Sequence, residues 1–141
     1  MTIAVDVAHD YVAAPGISER RMEPTEMGKG FTLTHGAICS AALNSMITSV
    51  AQQHQIPMQH ELAGRDTGTD AMAAVLAAID SAAASIGFPI RNMHTISESG
   101  HTGDVDAAIY VLFHLLQHMD QLHDGQGIQA DDLRDGHPRL D

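Results

Sequence analysis

A single cysteine, Cys39, is all the thiol that this 141-residue chain carries. An internal disulfide and any thiolate-rich zinc finger are thereby excluded, which agrees with a reducing compartment. Tryptophan is absent and aromatic residues make up 4% of the sequence, so stacking platforms for nucleic-acid bases are missing. Basic residues are scarce as well, with 7 Lys and Arg against 18 Asp and Glu and a formal charge of −11. No basic stripe remains to neutralise phosphates, and nucleic-acid binding is not expected. No apolar run approaches the roughly 20 residues that span a bilayer. The amino terminus, Met1-Thr2-Ile3-Ala4-Val5, lacks the basic region and small-residue cleavage site of a secretory signal. A soluble, cytoplasmic chain without a membrane partner is the expectation.

What is present suits one domain: the hydrophobic fraction of 44% and 12 glycines are ordinary for a globular α/β protein. Thr2 to Val7 reads as a short, nearly continuous apolar strand covered on both faces, and it carries one acid, Asp6. Pro15-Gly16, Pro24 and Gly28-Lys29-Gly30 break residues 8 to 30 into an irregular excursion. Phe31 to Leu33 predicts a short strand, and Leu43, Met46, Ile47, Val50 and Ala51 recur at helical spacing up to His54. Pro57 to Leu62 alternates as a weak strand. A polar loop, residues 64 to 68, then leads into an Ala-rich, helix-prone segment from Asp70 to Ile79. Ala82 to Phe88, small and apolar before Pro89, predicts a buried strand. Asp104 is placed as N-cap of a last helix whose buried stripe would be Ile109, Leu112, Phe113, Leu116 and Met119. These elements define a domain over 1–122 and an acidic, frayed tail over 123–141.

The candidate chemistry is sparse. His94 with Glu98 four residues on reads either as a metal ligand whose ring is oriented by a carboxylate or as a hydrogen-bonded structural histidine. Asp6 reads either as a hard metal ligand or as a strand-end acid capping a loop. Thr69 and Asp70 suit a helix cap as well as a pocket wall. His114 and His118, four apart on the last helix, could chelate a metal, but they project away from the expected apolar stripe, and a solvated or interface face is the simpler reading. Cys39 has no fixed relation to a base, so it is not read as a nucleophile.

Taken in order, several segments resemble the carboxy-terminal half of the catalytic domain of the tetrahedral-particle glutamyl and leucyl aminopeptidases, two-metal enzymes also labelled endoglucanase-like. These are Ile3-Ala4-Val5-Asp6-Val7, Pro15-Gly16, Met27-Gly28-Lys29-Gly30, Asn44, Ile56-Pro57-Met58-Gln59, Gly68-Thr69-Asp70-Ala71, and the run from Pro89 through Arg91, Asn92 and His94 to Glu98. Asp104 closes the set at the last helix, and the match spans about residues 2 to 120. The resemblance implies a three-layer α/β/α fold with a mixed sheet, as in part of a zinc-peptidase (phosphorylase/hydrolase-like) domain. It implies zinc or cobalt as cofactor, with Asp6 and His94 as ligands of two different metals, and peptide amino termini as substrate. Glu98 would support His94, while Thr69, Asp70 and Arg91 would line or brace the pocket.

The departures from the family pattern matter equally. The His-x-Asp motif, the bridging Asp and the Glu-Glu pair that supplies the general base lie upstream in the family, as does the inserted dimerisation domain, and none of them precedes Asp6 here. Asp80-Ser81-Ala82 replaces the usual Gly-x-Pro, and Asn92 stands where an aromatic follows Arg91. Two ligands without a general base predict a truncated or split aminopeptidase, inactive alone and completed by a second polypeptide. The alternative is a non-catalytic remnant that self-associates as a homo- or hetero-oligomeric structural domain.

Overall fold

The computed structural model describes residues 1–14, 24–63 and 82–126, with side chains described up to residue 120. A mixed five-stranded sheet organises them. Its strands are β1 (Thr2–His9), β2 (Phe31–His35), β3 (Met58–Leu62), β4 (Ala83–Arg91) and the two-residue β5 (Ser99–Gly100), and its helices are α1 (Ala41–Gln53) and α2 (Thr102–Gln126). The order is β1-β4-β2-β3, with β5 on β4. β1 runs parallel to β4 and β2 parallel to β3, while β2 and β4 are antiparallel.

Period-2 alternation sorts the faces. Phe31, Leu33, Ala84 and Ile86 turn toward the helices and form one core with Leu43, Ile47, Val50 and Ala51 of α1 and Ala107, Ala108, Val111 and Leu115 of α2. Thr32, Thr34 and Ser85 point to the opposite face and are also buried. Each partner strand reads as a run because both faces are covered. α1 starts where the Ser40 hydroxyl accepts the Leu43 N–H at 3.3 Å. It stops where Gln55 turns to φ 56° and the Ile56 N–H reaches back to Ala51 O at 2.8 Å, a left-handed cap.

Three expectations change. The first strand is not covered on both faces: Val5 and Val7, on the side that faces the helices, are 53% and 36% exposed, and among the described residues β1 pairs only with β4. The last helix begins at Thr102, two residues before Asp104. The His101 ring nitrogen Nδ1 accepts the Gly103 N–H at 3.1 Å, and Asp104 lies inside the first turn, buried, accepting the N–H groups of Gly28 and Gly30 at 2.7 Å each. The buried stripe of α2 is also rotated: Ile109, Phe113 and Leu116 are exposed, and Ala107, Ala108, Val111 and Leu115 are inside. Small alanines let α2 approach α1 and the sheet closely, so the contact face follows steric fit rather than side-chain size. Leu112 and Met119 pack at the margin of the core.

α2 continues to Gln126, past residue 122. The expected helix at 70–79, which would form a second helical layer, and the tail from 127 lie outside the described residues.

Candidate functional site

In a parallel strand pair the carboxyl ends open on the same side, where α/β sheets commonly bind ligands. β1 and β4 are such a pair, registered from Thr2↔Ala83 to His9↔Ile90. Asp6 stands opposite Gly87, on the face shared with Thr32, Thr34 and Glu61. A Cβ at Gly87 would lie 2.9 Å from Asp6 O and 3.0 Å from Thr32 Oγ1, so the strands close tightly there. Thr32 Oγ1 is buried on this face with no hydrogen-bond partner. The Asp6 carboxylate turns to its own strand edge, where Oδ1 accepts the Val7 N–H at 2.8 Å.

Beyond the strand ends, Asp10 and Arg91 lock β1 to β4. Arg91 Nε donates to Asp10 Oδ2 at 2.7 Å, and the Asp10 side chain is fully buried while that of Arg91 is 46% exposed. Asp10 also accepts the Ala13 N–H at 3.0 Å. Burial pushes the Asp10 carboxyl up, but the Arg91 and Ala13 hydrogen bonds and the Arg91 charge outweigh it, and the net shift is down from 3.8. Arg91 therefore braces the strand ends through Asp10, a residue the sequence did not single out.

His94 sits in an exposed turn just past β4. Asn92 and His94 both take left-handed backbone conformations, at φ 58° and 65°, which cost strain for residues with a Cβ. The turn is held by Thr95 Oγ1 donating to Asn92 O at 2.7 Å and by the His94 N–H donating to Glu98 Oε1 at 2.6 Å. Glu98 thus fixes His94 through its backbone, not through the ring as the spacing implied. Asn92, departing from the family's aromatic, suits this position because Asn tolerates the left-handed region. Thr69 and Asp70 lie outside the described residues.

Asp6, within β1 opposite Gly87, and His94, past the end of β4, do not form a closed site. Among the described residues no group of three His, Cys, Asp or Glu side chains could hold a metal ion. A zinc site takes at least three protein ligands, so the two present do not by themselves fit one.

Glu61 is a further carboxyl on the Asp6 face that sequence reasoning missed. Its only signal was an acid at an inward position of a weak strand. Burial pushes its carboxyl up from 4.5, the Thr34 hydrogen bond opposes this, and the Asp6 charge pushes it further up. A raised carboxyl stabilises the fold fully below 4.5 and loses that contribution as pH rises through its folded value. Glu61→Gln is therefore expected to raise the urea midpoint near neutral pH and to leave it unchanged below 4.5.

His114 of α2, expected on a solvated or interface face, packs within the chain: it stacks on His54, the residue that ends α1, with centroids 3.6 Å apart and planes 10° apart. Both rings line a cleft of about 410 Å³ with Ile56, Pro57, Asp106 and Tyr110. That cleft lies on the helical layer, across the sheet from Asp6. Burial pushes the Cys39 thiol up, against a hydrogen bond from the Ser85 backbone, which leaves it a poor nucleophile. No helix among the described residues is long and apolar enough to cross a membrane.

Comparison with known proteins is consistent across sequence and structure. Residues 1–111 match the model of the M42 glutamyl aminopeptidase family. A lysyl aminopeptidase of Pyrococcus furiosus is 31% identical over 115 residues, covering 82% of this chain and 33% of the relative. An aminopeptidase from the archaeon Desulfurococcus kamchatkensis superposes with a TM-score of 0.71 at 22% identity, over 89% of this chain and 37% of its own. The TET1 peptidase of Pyrococcus horikoshii, described as assembling into a tetrahedron or a large octahedral shell, gives 0.57 at 21% identity over 82% and 32%. The chain thus spans about a third of the length of these relatives.

Proposed function

The chain belongs to the M42 glutamyl aminopeptidase family, and from that membership we propose that it is the Asp6- and His94-bearing part of a two-metal aminopeptidase domain. It serves the removal of amino-terminal residues from peptides only when the rest of that domain is present. The observation that supports this reading is the parallel β1–β4 pair, which carries Asp6 opposite Gly87 and runs on into the turn around His94. Arg91 and Asp10 hold that end together. The zinc or cobalt ions implied by the family would need further ligands, which the described residues do not group into a site, and a general base. An oligomeric setting, as the shell-forming TET1 relative suggests, and a cytoplasmic location accompany this reading.

The test is hydrolysis of aminoacyl anilides with added zinc or cobalt. The chain alone is expected to give no turnover, and robust turnover by it alone would sink the proposal. Co-expressed with the portion of the Pyrococcus furiosus enzyme that has no counterpart here, it should gain activity. Asp6→Ala and His94→Ala should then each lower activity by more than about 100-fold, since even partners outside the ligand shell are worth about 10–100-fold.

A second reading, the self-associating remnant, is favoured by the exposed Ile109, Phe113 and Leu116 on α2. Light scattering with metal analysis separates the two, because a metal-free, stable homodimer would support the remnant.

A further inference from the structure

The cleft on the helical layer has a composition that the aminopeptidase chemistry does not use. Its volume of about 410 Å³ falls within the roughly 300–1,000 Å³ of small-ligand sites. Ile56 and Pro57 give it apolar cover, Tyr110 and the stacked His54–His114 pair give it flat π-systems, and Asp106 is its single carboxylate. No lysine or arginine lines it, and among the described residues none pairs with Asp106. The carboxyl end of α1 meets the same cleft at His54 and Gln55, with no basic residue in its last turn. Such a helix end is equivalent to about half a negative charge. Two sources of negative potential therefore act on one cleft that offers no cation of its own. The wall is also fixed in place, since Gln55 holds φ 56° and its N–H donates to Gln52 O at 3.2 Å.

We propose that this cleft binds the guanidinium group of an arginine side chain presented by a peptide. Charge complementarity selects a cation: Asp106 and the α1 end supply the local field, and a net charge of −11 draws cations toward the whole chain. The π-systems select a planar cation over a compact one, because guanidinium is weakly hydrated and stacks on aromatic rings while ammonium holds its water. Its paired N–H groups donate to the two oxygens of the Asp106 carboxylate. The aliphatic stem of arginine lies along Ile56 and Pro57, as long cationic side chains do on apolar surface. Tyr110 is 59% exposed at the rim, so the peptide that carries the arginine stays outside. The cleft lies across the sheet from Asp6, and it holds a peptide at a point remote from any bond cut there.

The experiment titrates the full, isotope-labelled chain with N-acetyl-arginine methylamide in chelator and follows backbone amide shifts. Shifts are expected at residues 54–57 and 103–114. The citrulline counterpart, which keeps the shape and loses the charge, should bind at least about tenfold more weakly. Guanidinium ion alone, which lacks the stem, should weaken by a similar factor, and the lysine counterpart should also bind more weakly than arginine. Asp106→Asn should weaken binding at least about tenfold and Tyr110→Ala several-fold. Both residues are exposed, and circular dichroism checks that the variants remain folded. Asp120→Asn, which removes an exposed acid of α2 outside the cleft, should change nothing. The proposal is overturned by shifts elsewhere or none, by equal binding of citrulline, lysine or bare guanidinium, by an unaffected Asp106→Asn, or by an equal loss in Asp120→Asn, which would mean attraction to the overall charge alone. No metal, second polypeptide or hydrolysis enters the measurement, so its failure leaves the aminopeptidase reading standing, and an inactive completed enzyme leaves the cleft standing.

Discussion

Gly30→Ala is expected to be among the most destabilising single substitutions in this chain, lowering its urea midpoint severely. Gly30 has φ +102°, and a Cβ on it would lie 2.1 Å from Pro57 O, 2.3 Å from Pro57 C and 2.8 Å from Pro57 Cβ. Two of those atoms are backbone, so no rotamer change relieves the overlap. The residue cannot move away freely either. Its N–H is held by Asp104 at 2.7 Å and its carbonyl by Gln59 Nε2 at 3.0 Å, immediately before β2 enters the sheet. Separating them would withdraw Phe31, fully buried in the core. The cost should exceed about 4 kcal/mol, the range reserved for core disruption and backbone strain together, against a total stability of about 5–15 kcal/mol for a domain. Gly28→Ala is the control: its φ is +88°, but the nearest atom to a Cβ is 3.8 Å away, on the His101 ring. It should cost only the left-handed penalty of about 1–2 kcal/mol. Urea unfolding followed by far-UV circular dichroism measures both, and a natural midpoint for Gly30→Ala would contradict the close approach.

Arg91→Ala is expected to destabilise the fold by about 3 kcal/mol near neutral pH. Removing one partner of a buried pair typically costs about 3–5 kcal/mol because a charge is left stranded, and the solvent exposure of Arg91 puts this pair at the lower end. Asp10 is the stranded group, 1% exposed, left with the Ala13 N–H. The pH dependence has a definite sign. The folded carboxyl lies below its ordinary 3.8, so its stabilisation is complete above that value and is lost as pH falls through the folded value. The difference between natural and Arg91→Ala chains should therefore shrink in acid below 3.8. A double-mutant cycle with Asp10→Asn isolates the pair, and equal stabilities at all pH values would refute it. In the completed enzyme the same variant should also lower anilide turnover, because Arg91 opens the turn that carries His94.

Much of the fold was legible in the chain. The alternation of Phe31, Thr32, Leu33 and Thr34 and the helical recurrence of Leu43, Ile47, Val50 and Ala51 report elements whose burial pattern repeats within one segment. The α2 stripe was misread for a physical reason: large apolar residues at helical spacing mark a hydrophobic face, but close helix packing is set by the small ones, Ala107 and Ala108. Asp104 looked like a cap because an acid early in a helix satisfies its dipole. Its partners, Gly28 and Gly30, are more than seventy residues away in sequence. The same distance hid Asp10 from Arg91.

The ordered motifs around Asp6, Asn44, Arg91 and His94 alone determined the family, because residue identity and spacing survive where surrounding sequence drifts. They also set the expectation that a general base and a third ligand must come from elsewhere, because the family's His-x-Asp and Glu-Glu motifs do not precede Asp6. Only the tertiary structure decided that β1 is an edge strand among the described residues, that Asp6 is held on the Val7 N–H, and that Glu98 grips the backbone of His94. An apolar strand reads alike whether a neighbour lies on one side or both, because the pairing that distinguishes them is made by main-chain groups common to every residue.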